Sequence, residues 1–174
     1  GRIAAMYADI SNTTNIIAPE GGRIHILRGV MVDESVDWNA SIDGGFPNTP
    51  SHYEVRKVAG SYSEKKDAKA VQREIILANF GGNIPDTGPA RAWGKNQKLI
   101  PASPREVFAV GKHKPQLHVE LSQSVLVVVS LEECNFSGHR HVPDGWWDGD
   151  GRWADLRWPD GEFGDGCWFA FVRE

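Results

Sequence analysis

The stretch SVLVVVSL, residues 124–131, decides how the rest of the chain is read. Its centre, Val125 to Val129, is a continuous apolar, β-branched run, which is the composition of a strand buried on both faces. Just before it, Leu117, Val119 and Leu121 alternate with His118, Glu120 and Ser122, and this predicts a strand with one polar face. A half-wet strand beside a dry one is most simply an antiparallel sheet. The last residues, CWFAFVRE (167–174), add a second strand that is apolar on both sides. Trp168, Ala170 and Val172 oppose Phe169 and Phe171 there, so this C-terminal strand is expected inside the sheet.

Between the two dry strands lies HRHVPDGWWDGDGRWADLRWPDGEFGDG, residues 139–166. Its Asp-Gly pairs, at 144–145, 148–149, 150–151, 160–161 and 165–166, each mark a potential chain reversal, because glycine adopts positive φ cheaply and aspartate caps its own turn. In RWADLRW, residues 152–158, strand spacing puts Trp153, Asp155 and Arg157 on one face and Ala154, Leu156 and Trp158 on the other. Trp158-Pro-Asp-Gly161 has the form of a type I turn. The segment holds seven carboxylates and three arginines, so it carries the chain's whole formal charge of −4.

Upstream, Ile24 to Val32 reads as a strand with a bulge or bend at Gly29. HYEVRKV, residues 52–58, alternates like a strand. Ser61-Tyr-Ser-Glu64 has capping-box spacing, and Ala68, Val71, Ile75 and Ala78 recur at helical spacing before Gly81-Gly82, which predicts a helix near residues 64–79. Reading EIILANF (74–80) as a strand competes with this. Residues 81–103 read as a long loop in which Trp93 plugs the core. Ser103-Pro-Arg-Glu106 repeats the capping-box pattern, making EVFAV a helical turn or a strand. A short apolar piece, Ile3 to Met6, opens the chain. The fold expected is mainly β, a β-rich α+β antiparallel sandwich or open barrel with one helix, in a single domain over residues 1–174.

Composition bounds the function classes. With 40% hydrophobic and 24% charged residues, the 174-residue chain reads as an ordinary soluble globular protein. Its acidic balance argues against nucleic acid as a partner; Arg56, Lys57, Lys65, Lys66, Lys69 and Arg73 form the one dense basic group. No apolar run approaches the length of a membrane span, and the N-terminus lacks a secretory-signal pattern. Sequons at Asn12, Asn39 and Asn135 are compatible with an extracellular origin. Cys134 and Cys167 read as two separate interior thiols, with a single bridge as the other arrangement. There is no G-x-S-x-G elbow, P-loop, dinucleotide fingerprint or H-E-x-x-H.

Function therefore rests on residues 139–166. Trp146, Trp147, Trp153 and Trp158 are more rings than a small interior readily absorbs, and adjacent Trp146 and Trp147 are expected to point opposite ways. Exposed indoles would stack on a saccharide or a cationic group, with Asp148 and Asp150 orienting it, which makes the chain a recognition domain for a small molecule or glycan. The alternative is a metal-assisted hydrolase. Residues two apart in extended chain share a face, so His139 and His141 can present two imidazoles to a zinc ion, with Asp144, Asp148, His118 or Cys134 as a third ligand. Asp144, Asp148, Asp150 and Asp155 could also form an irregular calcium loop, although no EF-hand register fits. One divalent metal, calcium or zinc, is the cofactor this reading implies.

Overall fold

The computed structural model describes residues 16–174, so Ile3 to Met6 and the Asn12 sequon lie outside the described residues. The dry run forms strand β4 (Leu126–Val129), which pairs antiparallel with β6 (His139–Asp148) and parallel with β8 (Cys167–Arg173). Strand β8 pairs antiparallel with β2 (Val71–Asn79), and β2 with β1 (Arg23–Val32). At the other end β7 (Gly151–Arg157) folds back antiparallel on β6. Two three-residue strands, β3 (Leu99–Pro101) and β5 (Cys134–Phe136), extend the pairing of β8 and β6. The C-terminal strand is thus interior to the sheet, as its two apolar faces require.

Alternation sorts the interior into two clusters. Ile75, Leu77, Leu126, Val128, Trp168 and Ala170 face one side; Ile76, Ala78, Val127, Val129, Phe169 and Phe171 face the other. The first side is covered by α1 (Trp38–Gly45), a 3-10 segment (Glu54–Ser61), α3 (Pro104–His113) and the four-residue turn α4 (Leu117–Glu120). The second is covered by α2 (Gly88–Asn96) and Phe163. The result is a mixed α+β fold with one dominant, incompletely closed sheet. No helix among the described residues is long and apolar enough to cross a membrane.

Several local expectations give way. Residues 71–79 form β2, not the second half of a helix. A strand buried on both faces shows no alternation, so the helical spacing of Ala68, Val71, Ile75 and Ala78 was fortuitous, and Val71 is exposed. The capping box forms instead at Ser103, whose hydroxyl accepts from Glu106 N while the Glu106 carboxylate accepts from Ser103 N, starting α3. Residues 52–58 enter the 3-10 segment, and 117–120 form a helical turn, not a strand. The supposed loop at 81–103 contains α2, and Trp93 plugs the core from that helix, donating its indole N–H to Ile17 O at 2.8 Å. Gly29 does make a bulge: its φ is +71° and the register shifts between Leu27 and Val30. Cys134 and Cys167 are free, buried, and in opposite clusters.

Candidate functional site

The tryptophan-rich segment folds as the β6–β7 ribbon, with Trp146 opposite Trp153, Asp144 opposite Asp155 and Val142 opposite Arg157. The outer edge of β7 is covered: Asn48 Oδ1 accepts from Arg152 N and Thr49 Oγ1 from Ala154 N, so the ribbon offers no free edge there. Asp148 Oδ1 accepts from Asp150 N at 2.7 Å and Gly151 N at 3.1 Å, closing the hairpin. Of the Asp-Gly pairs, 144–145 is not a turn at all but lies mid-strand in β6.

The indoles divide between the faces. Trp147 is fully buried in the first cluster, edge-on to Phe46 at 5.0 Å, and donates to Lys114 O at 3.1 Å. Trp146 points the other way and stacks on Trp153, ring centroids 4.3 Å apart and planes 20° apart, each half-covering the other. Alternation returns Trp158 to the side of Ala154, across from His141. Its ring lies 5.0 Å from the His141 ring and 5.1 Å from that of His139, and it remains 55% exposed. The four rings therefore make no common platform. One belongs to the core, two close on each other, and one is open.

The acidic field is largely spent on the fold. Asp155 caps its own neighbour, Leu156 N, and Asp160 receives Arg140 at both oxygens, 3.0 Å each. Asp144 is fully buried; burial pushes its carboxyl up to about 6 although Arg157 pulls the other way. Asp150 is exposed at the turn, as are Asp155 and Asp160 farther along the chain. Asp148 and Asp150 thus sit at the hairpin tip, away from Trp158 at the ribbon's other end.

The metal reading fails to assemble. His139 and His141 do share a face, but Asp144 lies on the opposite one, in the interior with Arg157. His141 Nδ1 sits 3.0 Å from His139 O. Among the described residues no group of three or more His, Cys, Asp and Glu gathers as metal ligands. The Asp148 oxygen that would serve a calcium loop already receives two backbone N–H groups.

Around Trp158 the structure adds residues that no spacing announced. Arg140 bridges Asp160, two residues after Trp158, and Glu133, and Glu133 also receives Arg91 at 3.1 Å, a network of two cations and two anions. A cavity of about 780 Å³ opens elsewhere, where the ends of β1, β2 and β8 meet the start of α3. Its charged lining runs from Arg28 to Arg173 in sequence, a dispersion with no local pattern to reveal it. No family model, curated protein or solved structure matches the chain.

Proposed function

We propose that this protein recognises saccharide by stacking it on the exposed face of Trp158. The observation that carries the reading is an indole left 55% exposed yet oriented by two imidazole rings at 5.0 and 5.1 Å. Among the described residues it is the one large aromatic side chain so exposed. Leaving half an indole wet forgoes stabilisation on the order of 1–2 kcal/mol, which a ligand that covers it recovers. Aromatic rings present a flat apolar face suited to the C–H face of a pyranose, and a few polar groups then set orientation. His139, whose ring lies against Trp158, and Asp160, two residues along the chain, supply such groups, since a carboxylate that accepts from arginine keeps lone pairs for hydroxyl donors.

The neighbouring charge favours saccharide over a cationic ligand. Arg140 takes both oxygens of Asp160, two residues from Trp158, so that carboxylate is already balanced against drawing a cation. No comparable observation supports a metal-assisted hydrolase, because its three proposed ligands are split between two faces of one strand.

Affinity electrophoresis through gels containing soluble polysaccharides of several linkages tests the proposal. Retardation on at least one polysaccharide, lost in Trp158→Ala and kept in Trp153→Ala, is the expected result. Migration unchanged on every polysaccharide, or retardation equal in the wild type and Trp158→Ala, overturns it.

A further inference from the structure

The 780 Å³ cavity is lined by neither Trp158 nor the two histidines against it and has a different chemistry. At one end Arg173 Nε contacts Glu74 Oε1 at 2.9 Å and Arg28 Nε contacts Glu74 Oε2 at 3.4 Å. Two guanidinium groups thus share one carboxylate, leaving a formal charge of +1. Arg173 Nη2 is buried with no acceptor among the described residues, a donor left for a ligand. At the other end Glu34, Glu106 and Glu132 face Lys65 and Arg73, leaving a formal charge of −1. Ser103 ties this end together: its hydroxyl donates to Glu34 Oε1 and its N–H to Glu106 Oε1, both at 2.8 Å. Arg73 Nε lies 3.9 Å from Glu106 Oε2.

A cleft that is neutral overall but charged at its ends complements a ligand of the same kind: neutral overall, anionic at one end and cationic at the other. Its size matches cavities that enclose drug-sized ligands and exceeds the needs of a free amino acid. Arg28 and Glu34 are six residues apart along β1 and the following turn.

We propose that this cavity binds a short zwitterionic peptide, its C-terminal carboxylate on Arg28 and Arg173 and its N-terminal ammonium among Glu34, Glu106 and Glu132. Guanidinium forks suit a carboxylate, and the free Arg173 Nη2 supplies an N–H for it. Burial, with repulsion between neighbouring carboxylates, raises the Glu106 and Glu132 carboxyls. An entering ammonium relieves that repulsion, so binding releases protons near the acidic end of the range.

Titration calorimetry with triglycine, N-acetyl-triglycine and triglycine amide separates the two ends. Triglycine is expected to bind, and each blocked form about tenfold more weakly, the worth of one charge-assisted contact. Arg28→Ala, an exposed position, should abolish the difference between triglycine and its amide while leaving the N-acetyl difference intact. Glu132→Gln should do the converse. Saturable binding of triglycine absent in the millimolar range, or equal affinity for all three compounds, overturns the proposal, as does a wild-type pattern in both variants. Because the three compounds are compared on the unaltered protein, the result does not depend on any variant folding. Polysaccharide retardation by Trp158 is read separately, so either site can fail without the other.

Discussion

Arg157 reaches from β7 to β6 and donates from Nε to the buried Asp144 Oδ2 at 2.6 Å, while Asp144 Oδ1 has no partner among the described residues. The guanidinium also lies 5.8 Å from the Phe163 ring centroid. The two partners gain unequally. Burial pulls the Arg157 pKa down but Asp144, Cys167 and Asp155 outweigh it, whereas for fully enclosed Asp144 burial outweighs the arginine. Removing the arginine strands a carboxylate in the interior. Arg157→Met should destabilise by about 3 kcal/mol at pH 7 in urea denaturation, and by less at pH 5, where the carboxyl can take up a proton.

The same carboxyl sets a pH dependence. Its folded value, about 6, lies above the ordinary 3.8, so between these values the unfolded chain releases its proton first. Stability from this group is complete below about pH 4 and falls as pH rises toward 6, by roughly 3 kcal/mol in all. Asp144→Asn removes the titration and leaves half-exposed Arg157 to water. Its stability relative to wild type should therefore improve between pH 4 and pH 7. A constant difference across that range would show that Asp144 titrates alike in both states.

Gly145 lies in β6 where a side chain has no room: an added Cβ would stand 2.0 Å from Phe46 Cζ. The same ring is packed against Gly111, Phe108 and Trp147, so it has nowhere to retreat. Gly145→Ala should cost about 1–3 kcal/mol or more through overpacking. Phe46→Leu costs stability alone, yet the double variant should be more stable than the sum of the two losses implies. Strict additivity by denaturant titration would place the Gly145 effect elsewhere.

How the 144–145 pair misleads shows which features are legible in this sequence. Strands β4 and β8 can be read because their apolar runs are short, β-branched or aromatic, and free of breakers. The ribbon's alternation at Trp153 to Trp158 and the bulge at Gly29 are legible for the same local reasons. Strand β2 is not, since burial on both faces erases its period, and α2 is not, since GPARAWGKN carries two glycines and a proline. An Asp-Gly pair signals a turn unless a distant ring requires the missing Cβ, and Phe46 lies 99 residues from Gly145. The segregation of Trp146 and Trp147 follows from alternation. The pairing of Arg140 with Asp160 and Glu133, and the charged cavity, are products of tertiary arrangement.

The tryptophans should separate sharply in energetic terms. Trp147 fills the core and satisfies its N–H on Lys114 O, so Trp147→Ala should cost about 3–5 kcal/mol. Trp158→Ala removes a ring already half in water and should cost under about 1 kcal/mol. Trp158→Phe should also shift the native emission maximum to shorter wavelength, because it deletes the most hydrated indole. Comparable losses for the two alanine variants would mean that the Trp158 ring serves the fold, leaving no role for it in recognition.

The thiols provide a test of the sheet itself. Cys134 belongs to the cluster under α1 and α3 and Cys167 to the cluster under α2, with strands between them, so no bridge can join them without dismantling the sheet. Burial pushes both thiols up, and Arg157 beside Cys167 offsets this only in part. Neutral, enclosed thiols react slowly, because the thiolate is the attacking species. In native protein a disulfide exchange reagent should therefore label neither cysteine on the timescale on which it labels both in urea. The native labelling rate should follow global unfolding, rising in parallel for Cys134 and Cys167 as denaturant is added. Rapid labelling of one thiol without the other would reveal that one layer opens alone, and a mass two units lower on the unreduced chain would show a bridge that this topology forbids.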